Sequence, residues 1–447
     1  MMLSIPRTIS KTRRVKNATR VSGWVSHSMC NKDTRRDGHG VSMRFNCHSM
    51  NFFKSAMRVP VLRNHEENPE RHASWLELFF DLAFVAVLGR VSVELAKSHD
   101  FETLIRFGLI FVPIWWAWIG QVFYLSRFDT DDLSHRLSSF FQIIVLGFMA
   151  TSIPKAFAGD VTGFVVCYGL LRGVLVFEYW FAGRHIPEAR PLTMIYSRGF
   201  LLAIGLWLLS LAVPSPFRYG LWILGMLVDF WTPNFCREMG VKYPPHPMHT
   251  PERFGLFTII VLGEAVIATV GTLTGMVWTL PAAVAAVMGL MLACTIWWVY
   301  FDGVGAAEHR VPKSSDDVSR YRSWLYGHLP LHGGIVLVAL GVERVVAHPM
   351  DILKGFEAYI LPVAVATVAL MMHVFYNSTV TKDVRLSNRD FTMPHNVVTC
   401  FMILLIPIAG FVPSIWILVG ALIGMGGHTL LNIRGYPEEA NAIAHRH

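Results

Sequence analysis

Two ionisable residues of opposite sign, Arg90 and Glu264, each follow the tripeptide Val-Leu-Gly near the middle of an apolar stretch. An ionisable side chain inside an apolar span is costly and usually faces a partner or a cavity. Opposite charges at equal depth would offset each other's desolvation. We therefore predict an Arg90–Glu264 pair that holds two halves of the protein in register or gates a pathway between them.

Two carboxylates, Glu77 and Asp81, lie four residues apart at the start of an apolar stretch. This spacing places both on one face of a helix, where they repel unless a cation or a proton intervenes. The favoured interpretation is a pair of interfacial acids in water beside Arg71 or Arg253. The alternative is a role in ion or proton handling.

Two histidines, His328 and His332, have the i, i+4 spacing that lets two imidazoles bind one metal ion, but Pro330 lies between them and kinks the turn. No Glu stands between them as in a metalloprotease HExxH helix. Structural histidines bonded to carbonyls are favoured, with proton relay or substrate contact next and a metal or haem site last. Broken helices of this kind often line transporter sites.

Further polar residues fall inside apolar stretches. Arg172 and Glu178 are six residues apart, so they point to different faces and need separate partners. The two Trp pairs, at 115–116 and 297–298, are predicted to anchor helix ends at the membrane interface. The other intramembrane candidates are Asp229 and His373.

The composition defines the class of protein that must position these residues. With 53% hydrophobic and 16% charged residues in a chain of 447, too little polar surface is available to cover a soluble globule. Runs of about 20 apolar residues, the length that crosses a bilayer, predict an all-α polytopic bundle of about twelve spans. They lie near 75–96, 104–124, 137–157, 161–182, 194–213, 217–236, 252–274, 280–301, 321–343, 357–377, 394–412 and 414–432.

Basic residues indicate the orientation, because cytoplasmic loops are rich in Lys and Arg. With the amino terminus inside, seventeen basic residues fall on the cytoplasmic side and six on the outer side. Both termini are therefore predicted to be cytoplasmic. Residues 1–63 carry thirteen Lys or Arg and two Asp, a formal net charge of +11. The whole chain has a net charge of +8, so residues 64–447 carry −3.

The two halves resemble each other, which is typical of a duplicated transmembrane unit. Leu82 matches Leu256, Ile114-Trp115-Trp116 matches Ile296-Trp297-Trp298, and the offset grows slowly along the chain. Because each unit has six spans, the two repeats are predicted to be parallel. The predicted divisions are a basic, disordered tail at 1–70, repeats at 71–240 and 241–435, and a cytoplasmic tail at 436–447. For the basic tail, a misassigned start with Met57 as the initiator is favoured over a transit peptide or a cytoplasmic arm that contacts anionic lipid.

Four segments give the chain a family resemblance: 77–82 (ELFFDL), 252–264 (ERFGLFTIIVLGE), 297–302 (WWVYFD) and 326–330 (YGHLP). Together they resemble the bacterial low temperature requirement A family. Phe254 stands where the family more often has His. The resemblance implies a multi-pass protein of the bacterial inner membrane, linked by its name to growth in the cold, and it implies no reaction or substrate.

The favoured function is secondary transport of a small solute, driven by protons, with Glu77, Asp81, Arg90, Asp229, Glu264, His328 and His332 along or beside the pathway. The alternatives are an ion channel, a membrane stress sensor, or a metal- or haem-binding membrane enzyme. A weaker similarity of residues 80–84 to the first helix of the lysosomal potassium channel family is the reason to retain the ion-channel alternative. No catalytic residue, metal site, cofactor or nucleic-acid partner is expected, an enzyme is less favoured than a non-enzyme, and a homo-oligomer is left open.

Overall fold

The computed structural model describes residues 59–63, 72–98, 100–129, 132–236, 242–246, 249–304, 315–379 and 389–435. Side chains of 129, 302–304, 315–318, 376, 379, 389–395 and 431–435 are outside this description. Within the described residues the fold is all-α, apart from two strands of two residues. Its helices are α1 (Trp75–Lys97), α2 (Phe101–Arg127), α3 (Leu133–Phe157), α4 (Thr162–His185), α5 (Arg190–Leu209), α6 (Phe217–Trp231), α7 (His249–Thr274), α8 (Leu280–Val304), α9 (Ser315–Ala347), α10 (Phe356–Thr379), α11 (Arg389–Ile408) and α12 (Ser414–Gly435).

Each apolar run of the sequence forms a helix, with ends that differ from the predicted ends by a few residues. Among the described helices, eight are long and apolar enough to cross a bilayer: α2 to α5 and α7 to α10. The protein is thus a multi-pass membrane protein whose helices contact lipid. Helices form here because no water inside a bilayer can satisfy backbone N–H and C=O groups.

Helix α1 begins with a capping box that the sequence encodes as Ser74-Trp75-Leu76-Glu77. The Ser74 hydroxyl accepts from the Glu77 amide, and the Glu77 carboxylate accepts from the Ser74 amide. Each interaction satisfies an amide that the first turn would leave unpaired. The box therefore fixes where α1 starts and where the carboxylate of Glu77 lies.

The helices pack in a similar order within two sets of six. In the first set, α1 packs on α3, α3 on α4, α4 on α5 and α5 on α6. In the second set, α7 packs on α9, α9 on α10, α10 on α11 and α11 on α12. The most extensive packing between the sets joins α1 to α7, with smaller contacts of α2 and α9 across the same boundary.

Helices α1 and α7 run parallel along this boundary. The residue numbers of the contacting pairs increase together along both helices, from Glu77 with His249 and Asp81 with Arg253 to Phe84 with Phe257 and Gly89 with Glu264. An antiparallel pair would show one number rising while the other falls. The amino-terminal ends of α1 and α7 thus lie at the same end of the bundle.

The basic segment at 1–70 is described only at residues 59–63. There, strand β1 (Val61–Leu62) pairs antiparallel with strand β2 (Phe128–Asp129), directly after α2. The side chain of Arg63 also donates to the carbonyl of Phe128. This part of the predicted tail is therefore attached to the end of α2. The rest of that tail, and residues 436–447, lie outside the described residues.

Candidate functional site

The boundary between α1 and α7 holds a buried ion pair. Arg253 donates from Nε to Oδ2 of Asp81 at 2.7 Å and from Nη2 to Oδ1 at 2.6 Å. Trp118 of α2 donates its indole N–H to the same Oδ1 at 2.7 Å. Both charged side chains are fully buried. A two-point contact of this kind is the strong form of a charge-assisted hydrogen bond, and it fixes the rotation of each helix relative to the other.

One turn closer to the helix ends, a second pair continues this contact. Nε2 of His249 lies 3.1 Å from Oε2 of Glu77, and Nη1 of Arg253 lies 3.8 Å from Oε1. We call Glu77, Asp81, His249 and Arg253 the α1–α7 charge cluster. Because Glu77 also closes the capping box, it links the start of α1 to the start of α7. Glu77 and Asp81, the two acids predicted to need a cation, therefore both lie beside Arg253, one of the two arginines predicted as neighbours. They are buried, however, and do not lie in water.

His332 of α9 lies beside this cluster in a directed chain of hydrogen bonds. The indole N–H of Trp115 donates to its Nδ1 at 3.0 Å, so the ring proton is assigned to Nε2. Nε2 lies 2.9 Å from the hydroxyl of Thr258, which itself donates to the carbonyl of Phe254. Because one ring nitrogen accepts a hydrogen bond and the other donates one, His332 is neutral and both of its nitrogens have a partner.

His328 has the opposite tautomer. Its Nδ1 lies 2.8 Å from the carbonyl of Trp324, which can only accept, so Nδ1 carries the proton. The hydroxyl of Tyr300 lies 2.9 Å from Nε2, which accepts from it. The ring of Phe375 stacks on the imidazole at 4.3 Å between centroids. The structural interpretation of this histidine, bonded to a carbonyl, is thus the one that the contacts fit.

The two histidines do not form a ready metal site. Their ring centroids are 5.5 Å apart, but the nitrogens of both rings are engaged with other groups. Within the described part of the chain, no cluster of three or more His, Cys, Asp or Glu side chains has a geometry that could hold a metal ion.

The predicted Arg90–Glu264 pair is not among the ion pairs of the described residues. Arg90 is 46% exposed and lies 3.7 Å from Glu94, one turn along its own helix. Glu264 is 5% exposed and lies against the neighbouring residue, Gly89, where an added Cβ would be 3.4 Å from both carboxylate oxygens. The two residues do lie at similar depth. One residue along a helix is a rotation of about 100°, which turns Arg90 away from α7.

Glu264 differs from the other buried acids of the described structure, because it has neither a cation nor a hydrogen-bond donor there. From Arg253 to Glu264 along α7 is eleven residues, or about 16 Å. Small side chains near it form a separate cluster of Ala265, Ala293 and Ala339. An isolated ionised carboxylate in such surroundings is strongly disfavoured. The charge of an ionised Glu264 is thus not compensated by any neighbouring group of the described structure.

A second buried ion pair lies within the first set of helices. Arg172 of α4 donates to Asp229 of α6 at 2.7 Å, and the hydroxyl of Tyr168 donates to the other carboxylate oxygen at 3.1 Å. The guanidinium also covers the ring of Phe200 on α5. Gly120 of α2 lets it approach, because a Cβ there would be 2.7 Å from Nη1. Asp229 therefore joins α4 to α6, and its partners in these contacts are not members of the α1–α7 charge cluster.

Glu178 has separate partners from Arg172, as its spacing predicts. Gln121 of α2 donates to it at 2.9 Å and Ser138 of α3 at 2.8 Å. Nδ1 of His135 lies 4.0 Å away. These contacts join α2, α3 and α4 through a buried polar cluster.

The prediction that both Trp pairs are interfacial anchors is wrong for the first pair. Trp115 and Trp116 are buried in the core, whereas Trp297 and Trp298 are about half exposed. Trp115 and Trp118 are instead the donors that orient His332 and Asp81. Sequence reasoning missed Trp118, Thr258 and Tyr300 as well, since no spacing rule identifies a residue whose partner is on another helix.

Comparisons with known proteins agree with this description. A family model described as bacterial low temperature requirement A protein matches residues 72–428. An uncharacterized protein of Rhizobium meliloti is 27% identical over 308 residues, which cover 64% of this chain and 73% of that protein. No solved structure matches.

Proposed function

We propose that this chain, a member of the bacterial low temperature requirement A protein family, carries a small solute across the bacterial inner membrane in a proton-coupled manner. The pathway follows the boundary between α1 and α7, and Glu264 is the group that takes up and releases the proton. The solute and its direction of movement are open in this proposal.

Glu264 carries the proposal. It is the buried carboxylate on this boundary without a cation or donor among the described residues, whereas Asp81 and Glu77 have Arg253 and His249. Intramembrane acids that face the interior of a bundle commonly relay protons in transporters. Protonated, Glu264 fits its apolar surroundings; ionised, it needs water or a cationic group, so its state favours different arrangements of α1 and α7.

The α1–α7 charge cluster has a different role in this proposal. Its hydrogen bonds are short and its members are buried, so it serves as the fixed contact about which the two sets of helices are held. His332 lies at the same boundary as a neutral, oriented group, whereas the contacts of His328 are with helices of the second set. Asp229 holds α6 against α4 within the first set, and Arg90 lies at the edge of the boundary beside Glu94.

We also propose twelve spans arranged as two parallel six-helix repeats, at 71–240 and 241–435, with both termini cytoplasmic. The similar packing order in the two sets and the parallel contact of α1 with α7 support the repeat. An even number of crossings in each repeat is what parallel first helices require. The bias of seventeen basic residues against six supports the orientation.

The test is proton uptake by proteoliposomes that contain a pH-sensitive dye, driven by a membrane potential that is negative inside. Wild type is compared with Glu264→Gln, which keeps the shape of the side chain and removes its titration. The matched control is Glu102→Gln, because Glu102 is 72% exposed at the start of α2. We expect uptake by wild type and by the control, and a loss of at least about tenfold in Glu264→Gln, since an amide cannot relay the proton.

Uptake that is equal in wild type and Glu264→Gln would remove this residue from the mechanism. Uptake no faster than in protein-free liposomes would exclude proton movement under these conditions. The ion-channel alternative predicts a flux that rises in proportion to ion concentration without saturating, whereas a carrier saturates.

A further inference from the structure

A cavity of about 610 Å³ lies between the end of α4 and the start of α5, away from the α1–α7 boundary. Three arginines line it: Arg184 on α4, and Arg190 and Arg198 on α5. The side chains of Trp180 and Met194 also line it, and both are exposed. None of its lining residues is acidic.

The three guanidinium groups have no carboxylate partner within ion-pair distance in the described structure. This distinguishes them from Arg172 and Arg253, each of which is paired with a buried acid. Like charges that share one cavity repel each other, so an anion between them is stabilising. Arg184 is held at the cavity by its position over the ring of Trp180, with its Cζ 4.9 Å from the ring centroid.

Helix geometry directs the polar groups of α5 into the same space. Positions 190, 193, 194, 197 and 198 follow the spacing of one helix face. Thr193 packs directly on Gly183 of α4, where an added Cβ would overlap its hydroxyl. The Oγ of Ser197 lines the cavity and is buried without a hydrogen-bond partner in the described structure. A buried hydroxyl of this kind normally has a partner, which a bound anion would supply.

We propose that this cavity binds a phosphate-bearing anion, the headgroup of an anionic glycerophospholipid. Guanidinium groups contact phosphate oxygens at two points, and three of them match its several oxygens. The cavity opens at helix ends, where a headgroup lies, and Trp180 and Met194 supply apolar surface for the glycerol and the first acyl carbons. This proposal is independent of the transport proposal, since it uses none of the same residues.

The test is calorimetric titration of the full chain in detergent with short-chain phosphatidylglycerol. The variants are the triple substitution Arg184→Gln, Arg190→Gln and Arg198→Gln, and the single substitution Ser197→Phe, which places a bulky ring in the cavity and keeps all three charges. The matched control is Lys97→Gln, Lys155→Gln and Lys354→Gln, which removes the same charge at other helix ends. Circular dichroism and thermal unfolding establish that each variant is folded.

We expect binding to wild type and to the lysine control, and affinity that falls about a thousandfold in the triple arginine variant, roughly tenfold for each guanidinium. Ser197→Phe is expected to lose binding although its charge is unchanged. Short-chain phosphatidylcholine, whose headgroup is neutral overall, is expected to bind at least about tenfold more weakly than phosphatidylglycerol.

Parallel titrations with glycerol phosphate and inorganic phosphate distinguish a lipid headgroup from a soluble phosphate as the source of the bound anion. Binding of the lipid alone supports a headgroup site, and binding of the soluble phosphates with equal or greater affinity supports the same chemistry with a soluble ligand. Equal affinity of wild type and the arginine variant for every probe would overturn the proposal. So would an equal loss in the lysine control, because the attraction would then be general surface charge.

Discussion

Substituting Asp81 by Asn tests the role of the α1–α7 charge cluster most directly. Asn has nearly the same shape and can still accept from the indole of Trp118, so the change removes the charge with little loss of packing. Arg253 remains fully buried with its charge, and Glu77, whose Oε1 is 3.8 Å from Nη1, becomes its nearest acid.

The size of the effect follows from the geometry. Asp81 accepts two hydrogen bonds from Arg253, at 2.6 and 2.7 Å, in a site from which solvent is excluded. Removing one partner of such a buried pair costs about 3–5 kcal/mol, because the other charge is left uncompensated. Arg253→Gln should cost a similar amount. The double variant should cost less than the sum by about 2–3 kcal/mol, since neither charge remains.

The assay is unfolding of the purified protein in mixed micelles, with the free energy of unfolding measured for wild type, both single variants and the double variant. Glu102→Gln again provides the control. Its partner Arg106 is a neighbour on the same exposed helix face, and exposed pairs contribute about 0–1 kcal/mol.

Two results would refute this reasoning. A cost below about 1 kcal/mol for Asp81→Asn would mean that Arg253 is compensated without Asp81. Strictly additive costs in the double variant would mean that the two residues do not act as a pair, whatever their separation in the structure.

Three further substitutions test separate contacts by the same unfolding measurement. Trp115→Phe leaves Nδ1 of His332 without its donor and should lower the free energy of unfolding by about 1–3 kcal/mol, beyond the change in ring size. Tyr168→Phe removes a donor to the buried carboxylate of Asp229 and should cost about 1.5–3 kcal/mol. Ser74→Ala removes half of the capping box and should cost about 1 kcal/mol.

Each of these has a conservative control. Trp297→Phe, at an exposed position, should be nearly neutral, and a cost equal to that of Trp115→Phe would show that ring size alone matters. Tyr359→Phe, on a partly exposed ring, plays the same part for Tyr168→Phe. Ser74→Thr keeps the hydroxyl and should restore most of the stability lost in Ser74→Ala; a failure to do so would contradict the capping role.

Much of the architecture could be predicted from the sequence for a physical reason. Inside a bilayer the backbone must satisfy its own hydrogen bonds, so an apolar run of sufficient length becomes a helix wherever it occurs. The twelve runs accordingly match α1 to α12 within a few residues. The family resemblance, carried by four short segments, is confirmed by the match over residues 72–428.

The separate partners of Arg172 and Glu178 were also predictable, because six residues along a helix are a rotation of about 600°, which leaves the two side chains about 120° apart. The candidate site itself was predicted only in part. Glu77 and Asp81 do share a face and do need a cation, which Arg253 supplies. Their burial, and the role of Glu77 in the capping box, come from how α1 meets α7.

Sequence by itself determined the depth of each polar side chain along its helix, and tertiary structure decided the direction in which it points. Arg90 and Glu264 illustrate the difference: their depths match, but α1 is rotated so that Gly89 meets Glu264 and Arg90 faces outward. The rotation of α1 is fixed by Asp81, Arg253 and Trp118, which come from three helices. Hydrophobic length fixes position across the membrane, whereas rotation depends on specific contacts between helices that no single segment encodes.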